Sequence, residues 1–111
     1  MTIAISTTGN GWDSPIDERF GRARGFFLID ENSNETRYLD NAENVEAAHG
    51  AGPAAARVLA NAGVGVLLTG RVGPKAGDAL KAAGIRVVSV PGGQTNRDTW
   101  NAYLRVATNH F

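Results

Sequence analysis

Residues 52–68, GPAAARVLANAGVGVLL, and residues 73–89, GPKAGDALKAAGIRVVS, are two versions of one unit set 21 positions apart. Gly-Pro opens both. Ala55 matches Ala76, Leu59 matches Leu80, Ala62-Gly63 matches Ala83-Gly84 and Val66 matches Val87. Each unit spells a helix followed by a strand. Pro53 and Pro74 suit a first helical turn, where the missing N–H removes no bond. Ala55, Val58, Leu59 and Ala62, and then Ala76, Ala79, Leu80 and Ala83, keep the i, i+3, i+4, i+7 spacing of a buried stripe. Gly63 and Gly84 stand where helices end in a left-handed residue. The segments that follow, 64–68 and 85–90, are β-branched and apolar almost throughout, the pattern of parallel strands covered on both faces. Duplication and ordinary α/β grammar explain the repeat equally well.

Working outward, residues 2–6 read as a first strand, followed by a turn-rich loop through Gly9, Asn10, Gly11 and Pro15. Residues 24–30 carry Phe26, Phe27, Leu28 and Ile29 and form a second strand. The hairpin chemistry of Glu31-Asn32-Ser33-Asn34 leads into a third strand over 35–39. Residues 41–52 read as a loop ending in His49-Gly50-Ala51-Gly52. After Pro91-Gly92-Gly93-Gln94, Thr95 is placed to cap a last helix with Asp98 in its first turn. Trp100, Tyr103, Leu104, Ala107 and Phe111 keep helical spacing and dock this helix on the sheet as packing residues. The order is β-β-β-α-β-α-β-α. A meander of the first three strands and right-handed crossovers for the rest give an α/β sheet of order 3-2-1-4-5, with strand 2 antiparallel and helices on both faces.

The 111 residues are enough for one domain and one core. Eleven basic residues balance eleven acidic ones, which argues against a general nucleic-acid or membrane-surface binder. Nine of the eleven bases are Arg, either for planar recognition of anions or as a trace of codon usage. No cysteine is present, so thiolate nucleophiles, disulfides and Cys-held metal clusters are excluded by chemistry. The N-terminus, Met1-Thr2-Ile3-Ala4-Ile5, has neither a basic region nor a cleavable apolar segment, and a cytoplasmic location is the expectation.

The topology carries the carboxyl ends of strands one, three, four and five, and the start of strand two, to one edge, where open α/β sheets bind ligands. Residues 7–10 and 17–22, 49–52, 69–74 and 91–95 meet there. Two of these segments lead into helix starts, which favour anions through free N–H groups and the helix dipole. Arg19, Arg22 and Arg71 add charge to the same rim. Each glycine loop also reads as plain turn chemistry, and TGRVGPK (69–75) lacks the spacing of a phosphate-binding P-loop. Phe20 is either core or a wall of the site. Asp13, Asp17 and Glu18 offer oxygen ligands or simply face water. No acid–base or nucleophile set emerges, so the chain is expected not to be an enzyme.

IAIST (3–7), IDERFGRARGFFLID (16–30) and the run from His49 to Val88, followed by a Thr-led terminal helix, resemble the dinitrogenase iron–molybdenum cofactor biosynthesis family over nearly the whole chain. This group takes in nitrogenase cofactor carriers and molybdenum–copper proteins. The resemblance implies a ribonuclease-H-like three-layer fold and a single cluster-binding domain over 1–111. It also implies non-covalent binding, carriage or assembly of an anionic molybdenum-containing heterometal–sulfur cluster, of Mo–Cu or Fe–Mo type. On this reading Thr7, Thr8, Gly9, Asn10, Arg19, Phe20, Gly21, Arg22, Gly50, Gly52, Thr69, Gly70, Arg71 and Gly73 contact the cluster. Family carriers have His where this chain has Arg19, which leaves His49 as the loop metal ligand. A cofactor-recipient protein or an ATPase is the expected protein partner. The alternative is a metal-free interaction or regulatory module that partners an ATPase.

Overall fold

Five strands, β1 (Thr2–Thr7), β2 (Gly25–Asp30), β3 (Thr36–Asp40), β4 (Val64–Thr69) and β5 (Arg86–Ser89), form one sheet of order β3-β2-β1-β4-β5 in the computed structural model, which describes residues 1–45 and 50–108. β2 runs antiparallel to β1 and β3, while β1, β4 and β5 are parallel. This is the topology expected from the repeat and the hairpin. The helices are α1 (Ala42–Val45), α2 (Ala51–Asn61), α3 (Pro74–Ala82) and α4 (Asn96–Thr108). Among the described residues, no helix is long and apolar enough to cross a membrane.

Strand alternation divides the core into two layers. Ala4, Phe26, Leu28 and Leu67 face Ala55, Ala56 and Leu59 of α2 and Ala76 and Leu80 of α3. Ile3, Ile5, Phe27, Ile29, Val66 and Leu68 form the other layer with Trp100 of α4. Trp12 joins that layer edge-on to Phe27, with ring centroids 4.9 Å apart. The repeat's helix ends are built as its glycines require. Gly63 and Gly84 have φ of 77° and 75°, a region that costs a side-chain-bearing residue about 1 kcal/mol or more.

Four local expectations change. α2 begins at Ala51, ahead of Pro53, because Gly50 turns the chain at φ 76° and starts the helix early. Within the expected 41–52 loop, residues 42–45 form the short helix α1, which begins with the Asp40 carboxylate accepting from the Ala42 N–H at 2.9 Å. β5 is apolar but not covered: it is the sheet edge, with Arg86, Val87 and Ser89 exposed. In α4, Thr95 Oγ1 accepts from the Asp98 N–H at 3.1 Å as a cap should, but Leu104 of the expected stripe is 39% exposed. Phe111 lies outside the described residues.

Candidate functional site

The segment from Asp17 to Arg22 is stitched to the carboxyl edge of the sheet from both sides. The Asp17 N–H donates to Ser6 O at 2.9 Å, and the Ser6 hydroxyl donates to Asp17 O at 2.6 Å. Ser6 Oγ also meets Thr69 Oγ1 at 2.7 Å, in a fully buried pair joining β1 to β4. Beyond β4 the loop continues as a short parallel rung. The Arg71 N–H donates to Glu18 O at 2.6 Å and the Phe20 N–H to Arg71 O at 3.1 Å. Phe20 then turns inward and is 1% exposed, its ring centroid 5.5 Å from that of Phe26. Gly70 permits this approach, since a Cβ there would lie 2.7 Å from Glu18 O. The Glu18 carboxylate rests against Gly92, so the loop after β5 is held to the same segment.

Two open clefts flank Arg22. The first, of about 460 Å³, is lined by Thr8, Asp17, Arg19, Arg22, Arg24, Ala42 and Val45. Asp17 organises its rim: Oδ1 accepts from the Arg19 N–H at 2.9 Å and lies 3.5 Å from Arg19 Nε. Arg22 donates to the Val45 carbonyl and so ties the RFGR turn to α1. The second cleft, also about 460 Å³, lies between the starts of α2 and α3 and is lined by Gly21, Arg22, Gly50, Gly52, Pro53, Gly73 and Lys75 among others. Its floor is backbone. A Cβ on Gly21 would come within 3.0 Å of Gly52 backbone atoms, and one on Gly52 within 2.7 Å of Ala76 Cβ. Neither α2 nor α3 has a side-chain cap. First-turn N–H groups have no partner within a helix, so they and both dipoles favour negative charge at this cleft. Among the described residues, no group of three or more His, Cys, Asp or Glu is placed to hold a metal ion.

The sequence-derived residues separate into three sets. Gly21, Arg22, Gly50, Gly52 and Gly73 line the helix-start cleft, and Thr8 and Arg19 line its neighbour. Thr7, Gly9, Asn10, Phe20, Thr69, Gly70 and Arg71 line neither cleft. The side chains of Thr7, Phe20 and Thr69 are buried: Thr7 Oγ1 donates to Gly9 O at 2.9 Å, Thr69 is spent on Ser6, and Phe20 is core rather than wall. Arg71 joins the edge through its backbone, with its side chain exposed. His49 lies outside the described residues. Lys75 and Arg24 were missed as lining residues. Lys75 stands where the first repeat unit has Ala54, one of many differences between the two units, so the sequence did not single it out.

A profile describing the dinitrogenase iron-molybdenum cofactor matches residues 1–106. The chain belongs to that family. Among solved structures, the apo form of the orange protein from Desulfovibrio gigas is 47% identical, with a TM-score of 0.92 over 95% of this chain and 88% of that one. A solution structure from Thermotoga bearing the NifB designation is 32% identical, with a TM-score of 0.83 over 94% of this chain and 87% of that one. An uncharacterised protein of Methanocaldococcus jannaschii is 32% identical over 89 residues, 78% of this chain and 72% of its own. Family membership and the shared fold agree with the resemblance carried by the sequence blocks.

Proposed function

We propose that the protein binds and carries an anionic, molybdenum-containing metal–sulfur cluster at the carboxyl edge of the sheet and catalyses no reaction on it. The observation that supports this reading best is the convergence of two uncapped helix starts on one glycine-floored cleft, with Arg22 and Lys75 on its lining. Each helix start contributes roughly half a positive charge. Two side-chain cations add to this, so the cleft is positive in a chain whose formal net charge is zero. Backbone N–H groups and a guanidinium fit the sulfides of a preformed cluster, and the chain has no thiolate with which to replace them. The missing Cβ atoms of Gly21 and Gly52 let the RFGR turn and the starts of α2 and α3 pack together, which brings both helix starts to the one cleft.

Within this proposal Gly21, Arg22, Gly50, Gly52, Gly73 and Lys75 form the primary contact, and Thr8 and Arg19 extend it across Arg22. His49, immediately before Gly50 in the chain, is the proposed metal ligand. Phe20, Thr69 and Gly70 hold the edge in shape. Whether the cargo is of Mo–Cu or Fe–Mo type follows from which metals are retained.

The test is anaerobic reconstitution of the full chain with tetrathiomolybdate and copper(I) or iron(II), followed by gel filtration, metal analysis and a visible spectrum. Stoichiometric retained molybdenum that falls with added salt is expected. The Arg22→Ala/Lys75→Ala pair should weaken retention at least about tenfold while keeping the native circular dichroism. A colourless, metal-free protein after reconstitution would refute the carrier reading in favour of a metal-free interaction module.

A further inference from the structure

Buried Asn41 builds the arginine-lined cleft from two sides. Its N–H donates to Arg24 O at 2.9 Å and its Nδ2 to Ala23 O at 2.9 Å, which fixes the chain between the RFGR turn and β2. Its own carbonyl accepts from the Asn44 N–H at 3.0 Å and the Val45 N–H at 3.2 Å, which hangs α1 on the same residue. Asp17 supplies a further wall, bonded to Ser6 in both directions and with Oδ1 taken by the Arg19 N–H. Arg19, Arg22 and Arg24 therefore line one cleft on a scaffold that folding has already ordered. Asp17 is the one carboxylate on that lining, since Asp40 and Glu43 stay off it, so two positive charges are in excess. The Thr8 hydroxyl donates to Pro15 O, which leaves the guanidinium groups as the side-chain donors. Arg24 is exposed and in no ion pair among the described residues. Arg22 is the one residue that also lines the helix-start cleft.

We propose that this cleft binds a phosphate dianion, free or as a monoester, and that its occupant competes with the cluster for Arg19 and Arg22. The competition rests on the carrier reading; the phosphate site does not. A phosphate dianion matches the excess charge, and its three terminal oxygens match three guanidinium forks. A carboxylate brings one charge and two oxygens, and so leaves a fork unused. Ala42 and Val45 offer an apolar flank to the organic part of an ester. Arg19 and Arg22 belong to the proposed cluster contact, and two anions that draw on the same guanidinium also repel each other. The coupling is therefore negative and reciprocal: phosphate loosens the cluster, and the cluster loosens phosphate.

The test begins with the cluster-free, full-length ¹⁵N-labelled protein at about pH 8, where phosphate is doubly charged. It is titrated with phosphate, phenyl phosphate and benzoate, against chloride at matched ionic strength. Saturable amide shifts are expected in residues 17–24 and 41–45 with both phosphates, and benzoate should bind at least about fivefold more weakly than phenyl phosphate. Tighter binding of phenyl phosphate marks a monoester as the better ligand and equal binding marks free phosphate; either result supports the site. Arg24→Ala, which leaves the proposed cluster contact intact, should weaken phosphate about five- to tenfold. In the molybdenum-loaded chain, saturating phosphate should weaken cluster retention at least about fivefold beyond chloride, and Arg24→Ala should lose that excess. Shifts confined to Gly50, Gly52, Gly73 and Lys75, shifts no larger than those from chloride, or benzoate equal to phenyl phosphate would each overturn the site. A loaded chain indifferent to phosphate would overturn the competition. Phosphate binding by a chain that retains no molybdenum would refute the carrier reading and uphold the site.

Discussion

Replacing Gly52 by Ala sets two known effects against each other at the centre of the helix-start cleft. The position is the second residue of α2, and Ala is favoured over Gly in helices by up to about 1 kcal/mol. Against this, the new methyl would sit 2.7 Å from Ala76 Cβ in α3. Carbon atoms pack best about 3.5–4.0 Å apart, so the two helix starts must separate by about 1 Å. Overpacking of that kind costs about 1–3 kcal/mol. The clash should therefore win, with a net loss of about 1–2 kcal/mol and a melting temperature lower by about 4–8 °C. Urea denaturation followed by far-ultraviolet circular dichroism measures it, and the Ala76→Gly background supplies the control. With the opposing methyl gone, Gly52→Ala should become neutral or stabilising, a coupling of about 1–3 kcal/mol. Stability equal to the unmodified chain, or the same loss in both backgrounds, would show that the helices do not meet as described.

Three further outcomes follow from single contacts. Thr99→Val removes an unpaired buried hydroxyl without changing shape, so thermal unfolding should show a gain of up to about 1 kcal/mol; a clear loss would mean that the hydroxyl has a partner. Asn41, 1% exposed, donates through Nδ2 to Ala23 O at 2.9 Å and accepts from Asn44 Nδ2 at 2.9 Å. Asn41→Ala strands the Ala23 carbonyl and should cost about 1–3 kcal/mol in chemical denaturation, and a change below about 0.5 kcal/mol would contradict the buried pairing. Asp30 is held below its ordinary pKa of 3.8 by the N–H groups of Ser33 and Asn32. Its stabilising contribution is thus full above 3.8 and disappears as pH falls through the lowered value. Asp30→Asn should flatten that part of the acid limb in denaturation midpoints measured down to about pH 2, and an unchanged limb would refute the assignment.

The sheet order was legible because periodicity and punctuation agree in this chain. Two Pro-started, Gly-ended stripes, each followed by an apolar β-branched run, read as crossovers, and Glu31-Asn32-Ser33-Asn34 reads as a hairpin turn. What sequence reading missed has identifiable causes. Periodicity cannot tell a covered strand from an edge strand, so Val87 and Ser89 were expected to be buried. Residues 42–45 are too few to show a period, and α2's early start depends on the left-handed Gly50. At the carboxyl edge, residue type brought the same loops together as the fold does, but backbone routing decides which side chains reach a cleft. Phe20 turns inward because the rung with Arg71 fixes its direction, and Thr69 is consumed by Ser6 across two strands. Such long-range pairings have no local signature. Lys75 was overlooked because a lone Lys in a helix's first turn reads as an ordinary surface residue.

The buried ring of Phe20 sets how often the RFGR turn can let go. Lifting the turn from β4 means moving that ring into water, which costs about 1.5–3 kcal/mol even before the backbone bonds to Arg71 are counted. On that term alone the lifted form is populated at only about one to ten per cent. Any anion arriving at Arg22 therefore meets a surface whose ordering was completed during folding, and none of its binding free energy is diverted into shaping the loop. Under the proposed carrier role, release of a cluster from the RFGR turn then requires no remodelling of that turn.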